Sequence, residues 1–383
     1  MTDWMRGGIP AAAPNLHYAS MPDLPCAAID ADGHVRERDA ELREYLPSPY
    51  RDMDWLQTFP FFPTLDGWPR ATTSPGKRDD PDAASWLRFL DECGIERTYL
   101  YPTAGLGFGL IQDRDWAIAL ARAYNDWLHQ LYMRTSPRLL GVALLPIHDV
   151  GEAVRELRRA VTELGMPAAL LPAANSLGKS FGHADFRPLF EEAQRLDCAL
   201  AVHGAPSKGF GFDHFDTFIK THTLEHPFAV WIQLTSMMFD GVFELFPNLR
   251  VAFLECGAGW VPYMMDRFDE EYERRGQRDA PLLKRPPSEY LRGGTIYVSC
   301  EVEERTLPYV LEQLGSEQVF FASDYPHERE HSQYLHDLPE FWARSDLSDT
   351  AKRGITRANA LRFYGAGATA QAEQPVATTG GTR

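Results

Sequence analysis

The sequence predicts an α/β fold, a (β/α)₈ TIM barrel with lid insertions after strands 1 and 5. Three observations support this prediction. Eight short apolar runs recur along the chain, longer amphipathic segments separate them, and no glycine-rich GxGxxG motif follows any run. Apolar runs that alternate with amphipathic segments are typical of parallel strands covered by helices. A chain of 383 residues is long enough for one such barrel with insertions.

The predicted strands are continuous apolar stretches, as expected of strands that are buried on both faces. They cover residues 26–32, 97–102, 139–147, 168–173, 198–204, 249–257, 295–302 and 318–324. Helices are predicted at residues 82–93, 113–134, 149–164, 185–196, 226–246, 260–275 and 303–314. Several helices begin with an acidic residue that can cap the first turn, and three are followed by a glycine: Gly94, Gly165 and Gly315.

The barrel is predicted to occupy residues 24–365 as one domain, between an N-terminal tail at 1–23 and a disordered tail at 366–383. Two insertions, at about 35–80 and 205–225, follow strands 1 and 5 at the face where barrel enzymes hold their active sites. Their aromatic residues either pack the insertions onto the barrel or form the wall of a site for an apolar or aromatic substrate. These residues are Trp55, Phe59, Phe61, Phe62, Trp68, Phe210, Phe212, Phe215 and Phe218.

Charge and composition exclude several classes of protein. The net charge of −16 argues against a nucleic-acid partner, which would need clustered Lys and Arg. No run of about 18 apolar residues is present, so no membrane span is expected. The first residues lack a basic region followed by an apolar one, so a cytoplasmic location is expected. The five cysteines form no CxxC pair, which argues against a thiolate zinc site.

Polar residues stand at the ends of five predicted strands. They are Asp32 and His34 after strand 1, His203 after strand 5, Glu255 after strand 6, Glu301 after strand 7 and Asp324 after strand 8. The carboxyl ends of the strands of a parallel barrel meet at one rim. Asp32, His34, His203 and Asp324 would therefore converge, and such a group needs a cation to be stable. The sequence predicts a divalent metal site at this rim.

Other residues near the rim have two interpretations each. His222 and His226 are four positions apart in the segment HTLEH and would share one face of a helix. They either bind a second metal ion, or His226 caps a helix with Pro227 in its first turn and His222 belongs to a lid. Glu255 is either a metal ligand or general base, or a rim carboxylate in a salt bridge with Arg267 or another arginine.

Four motifs, IDADGH, AVHG, FPNLRVAFLECGAGWVPYMMDRFD and FASDYPH, resemble the amidohydrolase superfamily. The branch in question includes aminocarboxymuconate semialdehyde decarboxylase and the resorcylate-type decarboxylases. The resemblance spans roughly residues 26–365 and implies a TIM barrel, a homodimer and one or two divalent metal ions. It implies that Asp32 and His34 form the ligand pair after strand 1, that His203 is the strand-5 ligand and that Asp324 is the strand-8 ligand. Asp32 stands where many relatives have His, and Glu255 stands where many have a strand-6 His that assists catalysis.

Two classes of reaction follow from these observations. The first is a metal-dependent lyase or hydrolase, which either decarboxylates an aromatic or unsaturated acid or hydrolyses an ester, amide or lactone. Glu255, Asp324 or His226 would move protons in that reaction. The second is a non-heme, possibly di-iron, oxygenase on the same barrel, for which the carboxylate-rich ligand set and the pair of His222 and His226 argue.

The metal and the substrate contacts are only partly determined. Zinc, manganese and iron all accept mixed nitrogen and oxygen ligands of this kind. Trp260, Arg267 and His327 are the expected substrate-binding residues, with a salt bridge on the helix surface as the alternative for Arg267. The substrate is predicted to be a small, apolar or aromatic acid.

Overall fold

The computed structural model describes residues 24–54, 59–64, 66–68, 80–204, 210–327 and 329–365. The tails predicted at 1–23 and 366–383 lie outside this part of the chain, as does Trp55 of the first insertion. Residues 69–79 and 205–209, which belong to the two predicted insertions, also lie outside it.

Eight strands form one parallel sheet in sequential order, which confirms the predicted barrel. They are β1 (Ala28–Val35), β2 (Ile95–Pro102), β3 (Leu139–Leu144), β4 (Ala168–Pro172), β5 (Ala199–His203), β6 (Val251–Leu254), β7 (Ile296–Cys300) and β8 (Val319–Phe321). All residues of β1, β3, β4, β5, β6, β7 and β8 are buried, as strands between helices and a filled barrel interior should be.

Asp30 holds the chain together where the barrel closes between its last and first strands. Its buried carboxylate accepts hydrogen bonds from the backbone N–H and the hydroxyl of Ser323, at 2.8 and 2.9 Å. The hydroxyl of Thr98, in β2, donates to the same carboxylate at 2.7 Å. The backbone N–H of Asp324 also donates to the carbonyl of Asp32 at 2.9 Å. These bonds fix the position of the segment after β8 relative to β1, and both segments carry predicted metal ligands.

Helices connect the strands on the outside of the barrel. They are α1 (Asp39–Arg43), α2 (Ala83–Cys93), α3 (Arg114–Leu128), α4 (Val150–Thr162), α5 (Arg187–Arg195), α6 (Phe218–Phe239), α7 (Val242–Leu245), α8 (Val261–Asp279), α9 (Pro287–Leu291), α10 (Leu307–Leu314), α11 (His331–Tyr334), α12 (Asp337–Ala343), α13 (Asp349–Arg353) and α14 (Asn359–Tyr364). The side chains of Asp82, Asp113 and Asp149 cap α2, α3 and α4 as predicted. Among the described residues, no helix has the length and apolar character needed to cross a membrane.

The helix predicted at 226–246 is wrong at both ends. The structure has α6 from Phe218 to Phe239 and then the separate short helix α7, so His226 lies inside a helix and does not cap one. Pro227 misled the prediction, because proline favours the first turn of a helix. Inside a helix it forfeits one backbone hydrogen bond, and buried residues on both sides of it, such as Thr221 and Val230, anchor α6 on the barrel.

The described parts of the insertions pack on the barrel. Phe61 and Phe62 are buried, and the ring of Phe61 meets that of Trp116 in α3 edge to face, at 5.3 Å between centroids. In the second insertion Phe212 is buried, and the predicted loop residues 218–225 form the first turns of α6. Packing, one of the two functions expected of these aromatic residues, is therefore observed for Phe61, Phe62 and Phe212, whereas Phe59 is 62% exposed. A lid function stays a prediction.

Candidate active site

Asp32 and His34 lie in β1 with their side chains on the same side of the strand. Both residues are buried. The pairing of β1 with β2 is irregular between Asp30 and Gly33. Gly33 is required here, because a Cβ at this position would lie 2.4 Å from the Trp86 ring. Residues two apart on a strand point in the same direction, so the sequence spacing alone brings these two ligand candidates together.

The four predicted metal ligands meet at the carboxyl end of the barrel. Nε2 of His34 lies 3.4 Å from Oδ1 of Asp32 and 3.4 Å from Oδ1 of Asp324. Nε2 of His203, at the end of β5, lies 3.1 Å from Oδ2 of Asp32. Three separate chain segments thus direct two imidazoles and two carboxylates at one point. Asp32, His34 and His203 are close enough together to share one ion, as are His34, Asp324 and His327.

The hydrogen bonds of the two imidazoles leave their Nε2 atoms for a metal. Nδ1 of His34 lies 2.8 Å from the carbonyl of Pro102, and Nδ1 of His203 lies 2.7 Å from the carbonyl of Gly204. A carbonyl only accepts, so both Nδ1 atoms donate, and in a neutral imidazole Nε2 then carries the lone pair. This arrangement is typical of histidine ligands to metals.

Three buried atoms at this point have no hydrogen-bond partner: Oδ1 of Asp32, Nε2 of His34 and Nε2 of His203. Buried polar atoms are almost always paired in folded proteins. Here the unpaired atoms are all able to act as acceptors, and they converge. A divalent cation between them would satisfy all three, and Oδ1 of Asp324 lies 3.4 Å from Nε2 of His34, so the residues present fit a metal ion.

Burial and mutual repulsion perturb the acid–base behaviour of these residues. Burial raises the pKa of Asp32 to about 7, although His203 lowers it. Burial alone would lower the pKa of His203, but the charges of Asp32 and Glu255 raise it to about 9. Burial also lowers the pKa of His34 well below its ordinary value, which keeps this imidazole neutral. A bound divalent ion would take the place of the protons that these side chains otherwise hold. Its positive charge stabilises ionised carboxylates beside neutral imidazoles.

Glu255 and Asp324 have strained backbones. Their φ angles are 57° and 53°, and Asp197 is the only other non-glycine residue with positive φ in the described chain. The left-handed conformation costs roughly 1 kcal/mol or more for such residues and often occurs at functional sites. Glu255 immediately follows β6 and Asp324 lies three residues after the end of β8, so both stand at the rim.

Glu255 lies between two histidines rather than in a salt bridge with arginine. Its Oε2 is 3.2 Å from Nδ1 of His203, and its Oε1 is 3.5 Å from Nδ1 of His226. Burial alone would raise the pKa of Glu255, but the charges of His226 and His203 hold it well below its ordinary value. The alternative partner Arg267 instead pairs with Glu270 and Glu271 on the surface of α8.

His222 and His226 lie one turn apart in α6, as their spacing predicted for a helix. Glu225 lies between them, which the sequence reasoning missed. Oε1 of Glu225 is 3.0 Å from Nδ1 of His222 and 3.6 Å from Nε2 of His226. The three side chains could hold one ion. The signal was present in the sequence, since Glu225 is part of the HTLEH segment.

His327 bridges Asp324 and a residue that the sequence reasoning did not single out, Thr103. Nδ1 of His327 is 2.8 Å from Oδ1 of Asp324, and Nε2 is 2.9 Å from the hydroxyl of Thr103. The ring also stacks on His34, with 4.0 Å between the centroids. These contacts hold the imidazole beside the metal ligands.

The sequence model of the amidohydrolase family matches residues 29–366. The chain belongs to this family. The resemblance seen in its motifs is thereby confirmed, and the four predicted metal ligands fall within the matched range.

Several relatives of this amidohydrolase are decarboxylases. A 2-amino-3-carboxymuconate-6-semialdehyde decarboxylase of Dictyostelium discoideum is 28% identical over 290 residues, which cover 75% of this chain and 77% of the relative. A gamma-resorcylate decarboxylase of Rhodococcus jostii is 28% identical over 296 residues, which cover 73% of this chain and 86% of the relative. The oxygenase alternative receives no support from these relatives.

Solved structures share the fold. The crystal structure of a dihydroxybenzoic acid decarboxylase from a Polaromonas species, with bound manganese and the inhibitor 2-nitroresorcinol, has a TM-score of 0.66 and 22% identity. The match covers 88% of this chain and 97% of that chain. This similarity supports the (β/α)₈ barrel of the amidohydrolase.

A cavity of about 690 Å³ opens beside Glu255 and Asp324. Its described lining residues are His222, Thr223, His226, Pro227, Glu255, Cys256, Gly257, Glu301, Glu303, Glu304, Asp324, His327 and Arg329. Two of the expected substrate-binding residues, Trp260 and Arg267, do not line this cavity. Arg267 is in the surface salt bridges that the sequence allowed as its alternative, and the indole N–H of Trp260 donates to the carbonyl of Gly257 at 2.7 Å. His327 does line the cavity.

Proposed function

We propose that this amidohydrolase is a metal-dependent decarboxylase that removes the carboxylate of a small aromatic acid without an oxidant. The observation that carries the proposal is the group of three unpaired buried atoms of Asp32, His34 and His203, which a metal ion would satisfy. The identity of the relatives supports the reaction, since both of those described above are decarboxylases. Hydrolysis of an ester, amide or lactone, which the sequence also allowed, lacks such support.

The proposed ligands are Asp32, His34, His203 and Asp324. Two carboxylates and two imidazoles suit manganese, which prefers oxygen ligands more than zinc does. Manganese in the Polaromonas decarboxylase supports this choice. When bound, the ion would orient the carboxylate or an adjacent hydroxyl group of the substrate and stabilise the negative charge on it.

We assign proton transfer to Glu255. Its side chain lines the cavity, is 18% exposed and is held by imidazoles on both sides. Decarboxylation of an aromatic acid requires a proton at the ring carbon that bears the carboxylate. Because its pKa is held low, Glu255 is ionised at rest and would relay a proton. A proton from solvent would pass through its carboxyl group to the ring carbon, the electron pair of the broken C–C bond would return to the ring, and CO₂ would leave. The overall reaction consumes one proton and needs no oxidant.

His226 and His327 would position the reacting groups. Nδ1 of His226 faces Glu255 and would orient its carboxyl group. His327 is fixed by Thr103 and Asp324 while its ring packs on His34, so it is held at the cavity wall next to the metal ligands. Rigid side chains of this kind reduce the entropic cost of aligning a substrate.

We further infer a homodimer. Helix α6 carries apolar residues on its outer face, where Phe228 and Ile232 are 39% and 36% exposed. Exposed apolar side chains that form a patch often mark a protein–protein interface. Analytical ultracentrifugation of the purified protein would test this, because a single species with the mass of one chain would refute the dimer.

The decarboxylase proposal is tested by metal analysis combined with product analysis. Protein purified without chelators is assayed with hydroxylated benzoic acids, in air and under argon, while CO₂, aromatic products and dissolved oxygen are measured. Equal CO₂ release with and without oxygen is expected, and the product formed in D₂O should carry deuterium in place of the carboxylate. Oxygen uptake coupled to turnover would overturn the proposal. So would hydrolysis of esters, amides or lactones without any decarboxylation.

A further inference from the structure

We propose that His222, Glu225 and His226 form a second metal site, for a divalent ion that prefers imidazole ligands, such as zinc. The three residues lie on α6, which contributes no ligand to the predicted site at the strand ends. The existence of this site does not depend on the reaction that the enzyme catalyses.

The helix provides the ligand geometry. Residues three and four positions apart lie on the same face of a helix, and two histidines at this spacing are a frequent zinc-binding arrangement. The ligand atoms of His222, Glu225 and His226 all lie within 4.8 Å of one another. Two imidazoles and one carboxylate are also the protein ligands of several catalytic zinc sites, in which a water molecule or substrate completes the coordination.

The burial of the three side chains supports an ion at this position. Neither ring nitrogen of His226 has a hydrogen-bond partner, although the side chain is only 10% exposed and lies against the cavity. Glu225 is fully buried, so its charge must be compensated inside the protein. His222 is 36% exposed, which gives an ion a route from solvent.

The two ring nitrogens of His226 face different partners, one the proposed second ion and the other Glu255. Nε2 faces Glu225, at 3.6 Å, and would bind the second ion. Nδ1 faces Glu255, at 3.5 Å, and would donate a hydrogen bond to it. A metal ion on Nε2 would fix the tautomer with the proton on Nδ1, as the proposed orientation of Glu255 requires.

The charge of the cavity gives the second ion a role, which rests on the proposed function. The described lining contains the carboxylates Glu255, Glu301, Glu303, Glu304 and Asp324, whereas Arg329 is its only arginine or lysine. Arg329 is already engaged by Asp337, with two hydrogen bonds of 2.8 and 2.7 Å. A substrate that carries a carboxylate would be repelled from such a wall, and a second divalent ion would reduce this repulsion.

The experiment compares metal stoichiometry in matched variants. Protein stripped with chelator is titrated with Zn²⁺ by calorimetry, and the bound metal is counted after gel filtration. Wild type should bind about two equivalents, whereas His222→Ala and His203→Ala should each bind about one. The control is His183→Ala, which removes an exposed histidine outside both clusters and should leave about two equivalents bound.

The outcomes separate this proposal from the proposed function. Binding of one equivalent by wild type, or of two by His222→Ala, would overturn the second site and indicate a network of ion pairs among His222, Glu225 and His226. Retention of both ions by His203→Ala would instead refute the site at the strand ends. His222 is partly exposed, so its variant should fold, which circular dichroism checks. Glu225→Gln is a second variant that should also lose the metal equivalent bound on α6.

Discussion

Nε2 of His203 lies 3.1 Å from Oδ2 of Asp32, although the two residues belong to β5 and β1, which do not pair with each other in the sheet. The contact crosses the mouth of the barrel. Both residues are buried, so water cannot compensate for the approach of their polar atoms. Either a proton on His203 or a metal ion bound by both atoms makes this contact favourable, and a divalent ion would also satisfy the unpaired Nε2 of His34.

Substitution of His203 by alanine should remove the metal ion at the strand ends and leave the fold intact. The imidazole contributes one of the proposed ligands, and the remaining three would bind more weakly. Metal analysis should show the loss of one equivalent, and circular dichroism should match wild type. An unchanged metal content at the strand ends would show that His203 is not a ligand.

Substitution of Glu255 by glutamine should lower kcat by about 10²- to 10⁴-fold, because the amide cannot transfer the proton to the ring carbon. Metal content should not change, because Glu255 is not among the proposed ligands. The matched control is Glu303→Gln, which alters a carboxylate of the same cavity wall. Equal activity of the two variants, measured by CO₂ release, would remove Glu255 from the mechanism.

Substitution of Gly33 by alanine should destabilise the barrel at β1, next to the proposed metal ligands Asp32 and His34. The new Cβ would lie 2.4 Å from the Trp86 ring and 2.6 Å from the Thr98 hydroxyl, so β1 must shift. We expect a loss of about 1 to 3 kcal/mol in the free energy of unfolding. Gly354→Ala is the control, because its nearest neighbouring atom is 3.4 Å away. Equal stability of the two variants in urea unfolding would contradict the close packing at Gly33.

The stability of the protein should depend on pH in part through His148, which lies outside the proposed metal sites. Burial lowers the pKa of His148, whereas in the unfolded chain it should be near the ordinary value of about 6.5. The unfolded state therefore binds the proton more readily, and this contribution to stability is complete above about pH 6.5 and declines below it.

His148→Gln should accordingly lose less stability than wild type as the pH falls from about 7.5 to about 5.5. Glutamine can still donate to the carbonyl of Ile111, as Nε2 of His148 does at 2.9 Å. Urea unfolding in the presence of chelator excludes the contribution of metal binding. Parallel pH profiles for the two proteins would show that His148 does not titrate differently in the two states.

The sequence by itself determined the number and order of the strands and four ligand candidates. Strand burial produces continuous apolar runs, and Asp32, His34, His203 and Asp324 stand in or just after such runs. These signals are local: each depends on a few neighbouring residues. The caps at Asp82, Asp113 and Asp149 were predictable for the same reason.

Only the tertiary structure decided the extent of α6 and the partners around the cluster. Packing on the barrel holds Pro227 inside a helix, against its local preference for the first turn. Thr103 reaches His327 across the barrel rim, and Glu255 turns to His203 and His226 rather than to Arg267. Such contacts join residues that are distant in the chain, so they depend on the closed barrel and leave no local pattern in the sequence.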